Sequence, residues 1–75
     1  IASPLSREYC TIAAYNTGAG NVLRVFSANR DKAKQIINSM PPDKLYRYLR
    51  QHLKEAEARR YLAKVTEARR QFVNL

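Results

Sequence analysis

At 75 residues the chain is about half the size of a typical domain, which excludes a two-domain enzyme and leaves one unit, 1–75, with a thin core. Fourteen Lys and Arg against six Asp and Glu give a net charge of +8, a balance that favours polyanionic partners: nucleic acid, anionic lipid or an acidic wall polymer. The hydrophobic fraction of 45% is that of a globular chain, and no apolar run approaches the roughly 18 residues of a membrane span.

Ser3 followed by Pro4 reads as an N-cap and first helical residue, and Leu5, Tyr9, Ile12 and Ala13 recur at helical steps behind them. This first helix is expected to stop at Asn16-Thr17-Gly18-Ala19-Gly20, where Gly18 and Gly20 together form the turn. A short second helix follows over 21–26, carrying Val22, Leu23, Val25 and Phe26, and 27–30 breaks it. From Asp31, read as the cap, Ala33, Ile36, Ile37 and Met40 make the one-sided stripe of a third helix. Pro41 ends it and Pro42 opens a fourth, marked by Leu45, Tyr46, Leu49 and Leu53. After a break near His52 to Lys54, the steps Ala58, Tyr61, Leu62, Val65, Ala68 and Phe72 predict the longest helix. Five helices without an alternating or β-branched stretch predict an all-α bundle with short connections, marginally stable alone.

Cys10 is the only cysteine, so neither an intrachain disulfide nor a thiolate zinc cluster is available, and its neighbours place it as a small buried thiol. The chain opens on Ile1 with no signal-like segment, which reads as a piece of something longer. None of Glu8, Asp31, Asp43, Glu55, Glu57 and Glu67 has the apolar sequence setting that raises a general acid toward neutrality; Asp31 and Asp43 read as helix-start carboxylates, and Glu55, Glu57 and Glu67 as surface pairs or helix ties. His52 has no partner for a metal site or a triad and reads as a lone surface histidine. Gly18-Ala19-Gly20 follows a helix, not a strand, so it is no dinucleotide fingerprint. Five tyrosines offer apolar faces with a hydroxyl: Tyr9 and Tyr46 fall on core stripes, Tyr48 and Tyr61 are further candidates, and Tyr15 sits beside the glycine turn where it can point into a cleft.

The run Ile12-Ala13-Ala14-Tyr15-Asn16-Thr17-Gly18-Ala19-Gly20-Asn21-Val22 resembles the "AYN-x-G-x-G" motif of lytic murein transglycosylases of the soluble-transglycosylase type. The resemblance continues through Leu23 to Ser27, Ile36 to Pro42 and Ala56 to Val65, so nearly the whole chain is covered and in the right order. It implies the C-terminal part of a lysozyme-like catalytic domain that cleaves the β-1,4 bond between N-acetylmuramic acid and N-acetylglucosamine in peptidoglycan. In the family one glutamate protonates the glycosidic oxygen and then acts as base while the muramyl 6-hydroxyl closes a 1,6-anhydro ring, in contrast to the two-carboxylate scheme of ordinary glycosidases. No cofactor or metal is implied.

The family's "Glu-Ser" and "Gly-Leu-Met-Gln" motifs do not occur in this sequence, so the resemblance gives this chain no catalytic residue and an inactive isolated state. It places Tyr15, Asn16 and Tyr61 at the substrate cleft and Gly18 and Gly20 in the turn, with Glu57 and Arg59 as a helix-packing tie. Cys10 stands where the family has an alanine. Further implications are a periplasmic location in a Gram-negative envelope, lipid anchoring of the parent at the outer membrane by a segment not in this sequence, glycan strands as partner without nucleic acid, and self-association of the fragment through an exposed face. Two other classes fit the composition. A basic helical nucleic-acid module would use Arg59, Arg60, Lys64, Arg69 and Arg70 and show a steep salt slope, and a scaffold without chemistry would leave Tyr15 and Tyr61 in unrelated places.

Overall fold

Side-chain oxygens, prolines and one glycine set the helix boundaries. The structure, a computed structural model, describes residues 3–73 and contains α1 (Pro4–Thr17), α2 (Ala19–Phe26), α3 (Arg30–Ser39), α4 (Pro42–His52) and α5 (Ala56–Val73), the all-α architecture the sequence predicts. Ile1, where the chain opens, lies outside the described residues. Ser3 is extended and its Oγ accepts the Ser6 amide at 3.3 Å, while Pro4 occupies the first helical position, where no amide hydrogen is needed.

Gly18 is the C-cap of α1 and the N-cap of α2 at once: its amide donates to the Ala14 carbonyl at 2.8 Å and its carbonyl accepts from Val22 at 3.2 Å. Its φ of 93° is closed to most side chains. Gly20, expected to share this turn, instead lies inside the first turn of α2, which begins two residues earlier than predicted. At α3 the cap is Asn29 and not Asp31: Asn29 is extended and its Oδ1 accepts the Lys32 amide at 3.1 Å, which puts Asp31 in the first turn, where its carboxylate faces the positive end of the helix dipole. Met40 before Pro41 is extended, as the clash with a following proline ring requires, and Pro42 starts α4.

α1 packs on α2, α4 and α5, α2 on α3, and α4 on α5. Ala13, Ala33, Leu45, Leu49, Ala58 and Leu62 are wholly buried, and the three alanines let the helix axes approach closely where they cross. Tyr9 and Tyr46 pack with ring centroids 4.9 Å apart, and Tyr48 stacks on Phe26 at 5.0 Å while its hydroxyl donates to the Val25 carbonyl at 3.3 Å, linking α4 to α2. The molecule measures 40 × 25 × 17 Å, so its thinnest dimension is less than two helix diameters of about 10 Å and every helix keeps a broad outer face.

Two predicted stripes are rotated. In α1 the buried residues are Ser6, Cys10, Ile12 and Ala13, so Ile12 and Ala13 of the predicted stripe are enclosed, Tyr9 is half-buried and Leu5 is 43% exposed. In α5 the buried line is Ala58, Leu62 and Thr66, whereas Tyr61 and Val65 are half-buried and Ala68 and Phe72 exposed, Phe72 by 77%. The helix therefore carries two apolar stripes, only one of which the core takes up. Arg59 closes the α4–α5 turn by donating from Nη1 to the carbonyls of Leu53 and Lys54, and its own carbonyl accepts from Arg50 at 2.7 Å.

Gly18→Ala is expected to lower stability by about 1–2 kcal/mol, because alanine resists this backbone, although a Cβ there would meet nothing within 4 Å. Gly20→Ala, with the same free space but ordinary helical dihedrals, is expected to raise stability by about 0.5–1 kcal/mol; urea titrations followed by circular dichroism check both signs. Burial pushes the Cys10 thiol up from 9.0 to about 11. Between those values the folded chain keeps a proton that the unfolded chain releases, so this group's contribution is unchanged below pH 9 and is lost as pH rises from 9 toward 11. The thermal midpoint of the wild type should thus fall more steeply over that window than that of Cys10→Ala.

Candidate functional site

α1 and α5 run antiparallel: Glu8 near the start of α1 forms an ion pair with Arg69 near the end of α5, and Ile12 lies across from Thr66. Leu5, Glu8, Tyr9 and Ile12 of α1 and Thr66, Arg69 and Arg70 of α5 line a hollow of about 410 Å³. A second hollow of about 650 Å³ is lined by Tyr61, Lys64, Val65, Ala68, Arg69 and Phe72. Arg69 lines both, so the two adjoin, and the second is a furrow along α5 itself. It has an apolar floor at Val65 and Ala68, an aromatic side chain at either end, Tyr61 and Phe72, and cations at Lys64 and Arg69. Flat apolar rings flanked by hydrogen-bond donors suit the faces and hydroxyls of sugar rings.

One turn beyond Ile12 on α1 is Tyr15-Asn16, and one turn before Thr66 on α5 is Leu62, next to Tyr61. The antiparallel register therefore brings Tyr15, Asn16 and Tyr61 to the same end of the α1–α5 pair. Tyr15 is 79% exposed and Asn16 is exposed; neither lines the furrow, whereas Tyr61 does. Gly18, two residues beyond Asn16, shapes the end of α1, and Gly20 does not.

Burial raises the Tyr9 phenol above its ordinary value, with Tyr46 adding to the rise and Arg70 opposing it, so at neutral pH the ring edge presents a neutral hydroxyl. The hydroxyls of Ser6 and Thr66 are buried without a hydrogen-bond partner. Asp31, Asp43, Glu55, Glu57 and Glu67 are exposed, and the half-buried Glu8 is engaged by Arg69. Among the described residues no carboxylate stands unpaired in an apolar cleft, and no three of His, Cys, Asp and Glu gather as a metal site would need. Of the basic series on α5, Arg59 is committed to the α4–α5 turn and Arg69 to Glu8, and the rest form no single continuous stripe.

Sequence reasoning missed Glu8, Thr66 and Arg69 as neighbours, because their meeting depends on the α1–α5 register, which no local pattern encodes. Phe72 was visible only as another step of a core stripe.

No family model matches the sequence. The membrane-bound lytic murein transglycosylase C of Sodalis glossinidius is 51% identical over 72 residues, 96% of this chain and 20% of the relative. The proteins of the same name from Cronobacter sakazakii and Pectobacterium atrosepticum are each 49% identical over the same share. The chain thus spans about a fifth of the length of the curated relatives it matches. Identity of one residue in two, sustained across nearly all of this chain, means that the chain belongs to the lytic murein transglycosylase family.

Proposed function

We propose that this chain is one wall of the glycan cleft of a peptidoglycan lytic transglycosylase in a bacterial envelope, and that the proton-transferring glutamate comes from elsewhere in the parent protein. The observation that carries the reading is the furrow along α5, with Tyr61 at one end and Tyr15-Asn16 at the same end of the helix pair, in a chain half identical to proteins named for murein cleavage. In this reading a glycan strand lies along α5, sugar faces rest on Tyr61 and Phe72, and Lys64 and Arg69 donate to its oxygens. Holding the strand still is the chain's contribution, because a well-oriented 6-hydroxyl closes on the anomeric carbon far faster than a free one would.

The reaction balances without water. The glutamic acid gives its proton to the glycosidic oxygen as the bond from the muramyl C1 breaks, the 6-oxygen bonds to C1, and the resulting carboxylate takes the hydroxyl proton. The exposure of five carboxylates and the pairing of Glu8 with Arg69 support an acid supplied from elsewhere in the parent. Among the described residues no helix is long and apolar enough to cross a membrane.

Titration of the ¹⁵N-labelled chain with chitotetraose is expected to shift amides of 61–72 in a saturable way, and Tyr61→Ala to weaken binding about five- to tenfold. The isolated chain incubated with purified sacculi is expected to release no anhydromuropeptides. Release at a rate comparable with a full-length enzyme would overturn the assignment of the acid to another part of the parent.

A further inference from the structure

A third hollow, of about 580 Å³, opens on the other side of the Gly18 corner, between the start of α2 and the α4–α5 turn, and its volume is in the range of about 300–1,000 Å³ common to small-ligand sites. One wall is a hydrogen-bonded chain. Asn21 Nδ2 donates to the Thr17 carbonyl at 2.6 Å, and Asn21 Oδ1 accepts from Arg24 Nη1 at 3.4 Å, which leans the guanidinium over the hollow. The opposite wall is His52, Leu53, Lys54 and Glu55. His52 rests on Tyr48 at a centroid distance of 4.2 Å, and Tyr48 in turn stacks on the buried Phe26, so the imidazole ends an aromatic ladder rooted in the core. Leu53 is buried beneath it, and Arg59 fixes the turn by binding the carbonyls of Leu53 and Lys54. Both walls are therefore held before any ligand arrives, which lowers the entropy a ligand must lose.

The charges are mixed: Arg24 and Lys54 are cations, and Glu55 is the one carboxylate in the lining. A ligand carrying both signs would engage the cations and the carboxylate at once, whereas a simple anion would be repelled by Glu55. We propose that this hollow binds a short peptide carrying both a carboxylate and an ammonium group, with the carboxylate between Arg24 and Lys54 and the ammonium on Glu55. Guanidinium and carboxylate make the strongest of the hydrogen bonds open to exposed side chains, and the Asn21 tether holds Arg24 in place for one. If the cleft reading holds, the source of such a peptide is the peptide branch of murein itself. Thr17 and Asn21 in the lining of the hollow flank Gly18, the residue that also ends the Tyr15-Asn16 turn of α1.

The test titrates the full ¹⁵N-labelled chain with four probes: the tripeptide L-Ala-γ-D-Glu-L-Lys, the same tripeptide amidated at its carboxylates, inorganic phosphate and chitotetraose. The tripeptide is expected to shift the Asn21 side-chain amide, the Arg24 Nε–H and the Lys54 and Glu55 amides saturably. The amidated form should bind about five- to tenfold more weakly, as should the tripeptide to Arg24→Gln and to Glu55→Gln. These side chains are exposed, so circular dichroism should show unchanged helix content in both variants. Absence of tripeptide shifts, equal affinity for the amidated form, or phosphate matching the tripeptide at these residues would overturn the proposal. Chitotetraose reports on 61–72 alone: its failure to bind there with the tripeptide still bound in the hollow would sink the cleft reading and leave the peptide site standing.

Discussion

At Gly18 the backbone takes a φ of 93°, and in that conformation the last amide of α1 can still bond back to Ala14 while the carbonyl of the same residue starts α2. No other residue type makes this change of direction without strain. Because the corner needs no intervening loop, Tyr15, Asn16 and Thr17 at the end of α1 and Asn21 in the first turn of α2 stand within seven residues of one another. The two surfaces proposed as sites, the α5 furrow and the hollow at the α4–α5 turn, lie on the helices that the corner joins or on elements packed against them. α1 leaves it toward α5, and α2 leaves it toward α3 and the Tyr48 ladder.

The second constraint is thickness. A slab 17 Å deep has room for one buried stripe per helix, and where a helix brings two, the other must remain outside. α5 brings two. Its Ala58-Leu62-Thr66 line faces α1 and α4, and its Tyr61-Val65-Phe72 line is the furrow floor and rim. An uncovered apolar strip on so small a body reduces the surface buried on folding, and it gives the furrow the aromatic faces that a sugar-binding wall requires. The same side chains therefore lower the stability of the isolated chain and make its candidate site.

Much of the fold was legible in the sequence, because the signals at the helix ends are local. Ser3-Pro4, Gly18 and Pro41-Pro42 each act within a few residues of themselves, and each stands where the pattern put it. The misplaced boundaries are also local in cause. Asn29 and Asp31 are both good caps two residues apart, and the backbone chose the one whose extended dihedrals let the oxygen reach the third amide. The rotation of the α1 stripe was not legible, because Leu5 and Ser6 differ by one helical step and α5 decides which of them is enclosed. Tyr48 illustrates the same limit: nothing near it in sequence announces that it reaches Phe26 and the Val25 carbonyl on α2. The family motif pointed to Tyr15, Asn16 and Tyr61 one by one. Their common level follows from the Glu8–Arg69 register, a pairing across 61 positions of chain that periodicity cannot express.

The net charge of +8 takes on a different meaning once its carriers are placed. Arg59 and Arg50 stitch the α4–α5 turn, Arg69 holds Glu8, Arg47 reaches Asp43 and Arg24 leans on Asn21, so a good part of the arginine is used within the molecule. A bond from a guanidinium to a carbonyl leaves its positive charge in place, and the field outside the protein is not diminished by such contacts. That field draws any polyanion toward the whole surface without choosing among them. The choice then rests on short-range groups: cations stand beside aromatic faces at Tyr61 and Phe72 and opposite a carboxylate at Arg24 and Glu55, the settings on which the proposed glycan and peptide contacts rest. Long-range charge gathers the ligand, and the side chains ordered around Gly18 and α5 determine what stays.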